Sequence, residues 1–126
     1  MRYRPVMGFL IWVVGAATLL FVGVACAQHP ESYYATRWCE SMRGKTEVVL
    51  ADGTRADCIT ETHAVEVERA AKFYGGIGQS LWYAFQTNKR AGLVMIVGPG
   101  DGRYMHRLES VVKHYSLPID IWRVNK

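Results

Sequence analysis

Apolar residues recur every three to four positions in three stretches of the chain, and this period is typical of helices. In the second stretch Ile77, Leu81 and Phe85 share one stripe, which predicts that all three face inward. Ser32, a residue type that caps helix N-termini, precedes the first stretch. The predicted helices are 32–42, 77–87 and 103–115.

Other stretches alternate or are continuously apolar, and these patterns predict strands. Residues 64–69 read AVEVER, so the valines face one side of the strand and the glutamates face the other. Residues 92–97 read GLVMIV without alternation, which is typical of a strand covered on both faces. Asp52-Gly53 predicts a two-residue hairpin turn. The predicted strands are 47–50, 55–60, 64–69, 92–97 and 119–124.

The elements follow the order α-β-β-β-α-β-α-β. Three early strands form a meander and the later strands are joined through helices, which predicts an α/β fold with a mixed central sheet and flanking helices. The chain has 126 residues, and we expect residues 28–126 to form one domain.

The N-terminal 27 residues predict export. Arg2 and Arg4 precede 22 uncharged residues, Val6 to Ala27, that end in Ala-Cys-Ala, as in a signal peptide cut near Ala27. The same stretch is long enough to be an uncleaved membrane anchor, with the arginines holding the N-terminus in the cytoplasm. Both interpretations place residues 28–126 in the periplasm or outside the cell, free or anchored at the inner membrane.

The charge of the exported part gives little guidance about partners. The whole chain has a formal charge of +4, but 13 Lys and Arg against 11 Asp and Glu remain after residue 27, which leaves +2. So small a positive charge does not by itself indicate nucleic-acid binding.

Cys39 and Cys58 are the two cysteines of the exported part. In an oxidising compartment such a pair predicts a disulfide, which would stabilise the domain by about 3 kcal/mol. A zinc site is the weaker alternative, because two thiolates without suitably spaced histidines make an incomplete ligand set.

Acidic residues on neighbouring strands suggest a site. If the strands of 55–60 and 64–69 pair in register, Asp57 lies beside Glu66, with Glu68 on the same face as Glu66. Gathered carboxylates repel, so a divalent cation, a basic side chain or open solvent must offset the repulsion. The plain alternative is a solvated strand face. His63, just before these acids, is predicted to be a turn or capping residue.

Lys72, Gln79 and Tyr83 have helical spacing, and on one continuous helix they would line the side that faces the acids. Three glycines between residues 75 and 78 weaken this prediction, because each costs about 1 kcal/mol inside a helix. The glycines would alternatively allow a strand or ligand to approach the backbone closely.

The element order, with Asp57 on the second strand and Glu66 and Glu68 on the third, resembles the PD-(D/E)XK, or restriction-endonuclease-like, nuclease superfamily. QSLWY, at 79–83, resembles the Q-x-x-x-Y helix motif of its recombination-exonuclease branch. Residues 48–84 are also similar to a group of small exported bacterial proteins related to that fold.

This resemblance implies a magnesium-dependent phosphodiesterase that acts on nucleic acid. Asp57 and Glu66 would hold Mg²⁺, and Glu68 would share it. Lys72 would orient the attacking water or offset charge, and Gln79 would contact the metal or the nucleic acid.

One position departs from the family pattern. The third-strand signature is acid-x-lysine, and Glu68 stands in the lysine place. Some members carry the lysine on the following helix, where Lys72 lies. The departure leaves a second possibility, a catalytically inactive binding or structural module of the cell envelope.

Overall fold

The computed structural model describes residues 28–126, which form an α/β fold in the predicted element order. The elements are α1 (Glu31–Ser41), β1 (Lys45–Val49), β2 (Arg55–Ile59), β3 (His63–Arg69), α2 (Phe73–Thr87), β4 (Arg90–Val97), α3 (Gly102–His114) and β5 (Ile119–Asn125). A 3₁₀ turn, Ala70–Lys72, joins β3 to α2. The predicted signal peptide or anchor, 1–27, lies outside the described residues. Between residues 28 and 126 no helix is long and apolar enough to cross a membrane.

The five strands form one mixed sheet in the order β1-β2-β3-β4-β5, which confirms the predicted fold class. The first three strands are antiparallel neighbours, as expected for a meander. β3, β4 and β5 run parallel, so α2 and α3 must return the chain across one face of the sheet.

The sheet has a core on each face. On one face Val65, Val67 and Ile96 pack against Tyr34 and other residues of α1. On the opposite face Leu93, Met95 and their neighbours pack beneath α2 and α3. Because both faces of β4 are covered, residues 91–96 are all buried, as their unbroken apolar pattern predicts.

The predicted disulfide between Cys39 and Cys58 is confirmed. The Cα atoms are 5.6 Å apart, and both residues are fully buried. The bond fastens α1 to β2, so α1 is held against the sheet by a covalent link as well as by packing.

Two boundary predictions are wrong. The loop between β1 and β2 has five residues, 50–54, one more than the predicted strands leave, and its turn is centred on Ala51 and Asp52 rather than on Asp52 and Gly53, because the Gly53 N–H donates to the Leu50 carbonyl. Within the loop the Asp52 carboxylate accepts hydrogen bonds from the backbone N–H of Thr54 (3.0 Å), its hydroxyl (2.6 Å) and Trp82 Nε1 (2.8 Å). At α1, Pro30 precedes the helix, and Ser32 lies inside the first turn without capping it.

Helix α2 begins at Phe73, four residues before its predicted start, and includes the glycines. Its buried positions are Phe73, Gly76, Ser80 and Tyr83, which rotates the inward stripe away from the predicted one. Phe85 was predicted to face inward and is instead 77% exposed. Gly76 lets α2 lie close to β4, because a Cβ there would come within 2.7 Å of Leu93 Cδ1 and force a side chain to shift.

Candidate acidic site at the break between β2 and β3

The acidic residues meet where the pairing of β2 with β3 ends. The two strands pair at Cys58–Val65 and Ile59–Ala64. Immediately beyond, the backbone N–H of Val67 donates to the Asp57 carboxylate at 2.8 Å instead of to a strand carbonyl. This bond holds Asp57 beside Glu66, close enough for the negative charge of Asp57 to raise the pKa of Glu66. The structure therefore brings together the two residues predicted to hold a metal.

A backbone irregularity in β1 lies directly opposite Asp57. Glu47 has a φ of +49°, in the left-handed region that non-glycine residues rarely occupy, between the Thr46–Cys58 and Val48–Ala56 pairs. The negative charge of Glu47 is close enough to raise the pKa of Asp57. Strained residues of this kind cluster at functional sites, because the surrounding structure must hold them in place.

Glu66 and Glu68 point to the α2 face of the sheet, opposite Val65 and Val67, as alternation predicts. They are buried, with 5% and 9% of their surface exposed, so the alternative of a solvated strand face is wrong. Burial follows from the course of α2, which brings Gly76 against Glu68 and places buried Tyr83 near Glu66.

Burial and mutual repulsion disfavour ionisation in the acidic cluster formed by Asp57, Glu66 and Glu68. Burial raises the pKa of Glu66 to about 9, with further contributions from the charges of Asp57, Glu68 and Glu31. Burial also raises the pKa of Glu68 to about 7. The pKa of Asp57 is raised by burial, although the bond from the Val67 N–H opposes the rise. Without a cation, the cluster therefore holds protons at neutral pH.

Glu31 also belongs to the cluster and was missed by sequence reasoning, which singled out only Asp57, Glu66 and Glu68 among the acids. It lies in the first turn of α1, and its negative charge helps to raise the pKa values of Glu68, Glu66 and Asp57. With Glu47 and Asp57 it lines an open cleft of about 200 Å³ between α1 and the β1–β2 hairpin. An acid in a first helical turn is common, so no sequence signal distinguished this one.

Gln79 and Tyr83, the residues of the Q-x-x-x-Y resemblance, lie one turn apart beside the acids. Gln79 Nε2 donates to Tyr83 Oη at 3.3 Å, and the negative charge of nearby Glu66 helps to raise the pKa of the Tyr83 hydroxyl. Tyr83 is 5% exposed, and burial raises the pKa of its hydroxyl. The pair thus links the buried acids to an exposed amide on α2.

Lys72 and His63 lie farther from the centre of the cluster. Lys72 is exposed at the end of the 3₁₀ turn, and it forms no ion pair with any residue the structure describes. Its positive charge nevertheless lowers the pKa of Glu68, against the larger effects that raise it. The backbone N–H of His63 donates to Thr60 Oγ1 in the turn before β3, as predicted, while its ring contacts Asp120 rather than the acids.

The donor set suits magnesium held by few protein ligands. In the part of the chain from 28 to 126, no three His, Cys, Asp or Glu side chains are arranged to hold a metal ion. Mg²⁺ is commonly bound through one or two carboxylates, with waters and substrate phosphates completing its coordination. Asp57, which lines the cleft, and the adjoining Glu66 supply two such hard oxygen ligands, so the residues present fit that ion.

Comparison of the chain with protein-family models, curated protein sequences and solved structures finds no match. The PD-(D/E)XK resemblance therefore stays a prediction, based on the element order and on the residues gathered at this site.

Proposed function

We propose that this protein is an exported, magnesium-dependent phosphodiesterase acting on nucleic acid, a member of the PD-(D/E)XK superfamily. The observation that carries the proposal is the pair of adjoining acids, Asp57 and Glu66, of which Asp57 lines an open cleft. Burying like charges is unfavourable unless protons or a cation neutralise them. A divalent cation would replace the proton, and its binding would explain why these acids lie together, which packing alone does not.

Asp57 and Glu66 would hold the ion, with Glu68 and Glu31 close enough to share it. A bound Mg²⁺ would polarise a phosphodiester and lower the pKa of a coordinated water. Tyr83, buried on α2 near Glu66, would help to hold that carboxylate beside Asp57.

Three kinds of group would position the substrate. The exposed Gln79 amide would donate to a phosphate oxygen, and the Lys72 ammonium would offset negative charge near Glu68. Hydroxyl groups of Ser32 and Thr46 line the cleft beside Asp57 and would donate to backbone phosphates, which carry no sequence information. Such an enzyme would degrade nucleic acid outside the cytoplasm without strong sequence preference.

A cleavage assay tests this function. The exported, disulfide-bonded protein is incubated with labelled single- and double-stranded DNA and RNA in Mg²⁺, Mn²⁺ or EDTA. We expect metal-dependent cleavage that falls by at least about 100-fold in Asp57→Asn and Glu66→Gln, because each removes a metal ligand. Glu40→Gln, at an exposed acid of α1 outside the cluster, is the matched control and should keep full activity. Cleavage that is equal in all three variants would rule the site out.

A catalytically inactive envelope binding or structural module is the second candidate. The exposed position of Lys72, together with Glu68 in the lysine place, favours it, because a lysine at the metal is then lacking. This candidate predicts that Mg²⁺ binds to Asp57 and Glu66 but that no nucleic acid is cleaved. Metal binding without cleavage would decide for the inactive module.

A further inference from the structure

A second cavity lies at the opposite end of the sheet from the acidic site. It has a volume of about 520 Å³ and lies where β4 and β5 begin, whereas Glu68 lies near the end of β3, which runs parallel to them. The second half of α2 and the connection from α3 to β5 form its walls. Its volume is in the range of small-molecule sites, about 300–1,000 Å³.

The facing walls of this cavity carry apolar side chains, and one of these side chains is largely exposed to solvent. Leu81 and Phe85 line it from α2, and Leu117 and Ile119 line it from the opposite side. Phe85 is 77% exposed, the highest value among the exposed large hydrophobic residues from 28 to 126. Covering such a ring with apolar surface yields about 25 cal/mol per Å², so the apolar part of a ligand would bind there favourably.

The rim of the cavity carries positive charge. Lys89 and Arg90 lie on the rim with a single acid, Asp120. That acid already contacts Arg90 at 2.8 Å and His63 Nε2 at 2.7 Å, while Lys89 Nζ donates to the carbonyl of Glu61. Two cations against one carboxylate leave a balance of one positive charge, which a monoanion would neutralise.

We propose that this cavity binds a single-chain carboxylate with an apolar tail, such as a medium-chain fatty acid. The carboxylate lies between Lys89 and Arg90, and the tail lies along Phe85 and Leu81. A protein partner fits less well, because a stable protein interface needs about 800 Å² from each side, far more than this cavity offers. The proposal does not depend on nuclease activity.

Calorimetric titration of the exported, disulfide-bonded protein with decanoate, below its micelle concentration, tests the proposal. We expect saturable binding of one decanoate, and binding of decanol weaker by at least about tenfold because it lacks the charge. Decyltrimethylammonium, with the opposite charge, should not bind. Equal binding of all three probes, or no binding of decanoate, would overturn the proposal.

Variants at the cavity rim and wall locate the site. Lys89→Met should weaken decanoate binding by at least about tenfold while leaving decanol unchanged, because it removes only the charge. Phe85→Glu should abolish binding of both probes, whereas Phe85→Leu should retain it. Lys113→Met, at an exposed lysine of α3 outside the cavity, is the control and should bind as the wild type does. Unchanged binding in Lys89→Met and Phe85→Glu would place decanoate elsewhere and refute the assignment.

Discussion

Glu66 acquires its chemistry from its neighbours. In water its carboxyl group would ionise near 4.5, but burial and the adjoining acids raise its pKa to about 9. A residue that looks like the polar half of an alternating strand is therefore the most perturbed acid described in the molecule. A carboxyl group whose pKa is strongly shifted by burial and by neighbouring charges, next to a cleft, is a candidate for a functional site.

This shift predicts how stability depends on pH. Because the folded state binds the Glu66 proton more tightly than the unfolded state does, the stability from that proton is complete below pH 4.5 and is lost as pH rises to about 9. The free energy of unfolding, measured with urea in EDTA, should therefore fall between pH 5 and pH 9. Glu66→Gln should flatten the decline, and Glu40→Gln should not. A wild-type protein that is equally stable at both pH values would contradict the shift.

Glu47 gives a second prediction at this scale. A left-handed conformation costs a non-glycine residue about 1–2 kcal/mol, so Glu47→Gly should raise the free energy of unfolding by about 1 kcal/mol. Glu47→Ala removes the same charge but keeps the strain, and it separates the two effects. If both variants change the free energy of unfolding by the same amount, the change comes from the lost charge and not from the left-handed conformation of Glu47.

Alternation was sufficient to place Glu66 and Glu68 on one face, and an assumed strand register brought Asp57 next to Glu66. Sequence reasoning left open whether solvent or a helix covers that face, because the answer depends on how closely α2 approaches. Glu31 was missed for a similar reason, since its role depends on where α1 packs rather than on any local pattern. Contacts between distant elements are the part of a site that periodicity does not encode.

At the scale of elements, glycine decides the course of α2. A Cβ at Gly76 would lie 2.7 Å from a methyl group of Leu93, which is fully buried, while a Cβ at Gly78 would meet nothing within 4 Å. Gly76→Ala should therefore lower the free energy of unfolding by about 1–3 kcal/mol through overpacking. Gly78→Ala should raise it by up to about 1 kcal/mol through helix propensity. Urea unfolding of both variants checks this, and a gain of stability in Gly76→Ala would show that α2 lies farther from β4.

The same glycines explain why the helix was predicted too short. Helix propensity argues against three glycines in the first turns, yet close packing on the sheet compensates for their cost. The wrong prediction for Phe85 follows from this error, because the stripe through Ile77 is rotated around the helix relative to the buried positions that begin at Phe73. Element type and order could be predicted from periodicity, whereas helix rotation depended on packing.

At the scale of the whole molecule, the disulfide holds α1 to the sheet and so helps to form the acidic cleft. Reduction should lower the free energy of unfolding by about 3 kcal/mol, the value expected when a bond closes a loop of this length. Urea unfolding with and without reductant measures the change. The Cys39→Ala/Cys58→Ala double variant is the control and should not respond to reductant. A loss well below 1 kcal/mol would indicate that packing alone fixes α1.

Calorimetric titration with Mg²⁺ and Mn²⁺ at pH 7 tests the acidic site most directly. Because Glu66 is protonated at that pH, metal binding should release about one proton, seen as an enthalpy that varies with the ionisation heat of the buffer. We expect saturable binding in the wild type and its loss in the Asp57→Asn/Glu66→Gln double variant. No uptake of either ion at millimolar concentrations, or uptake that the double variant retains, would contradict a metal site at these acids.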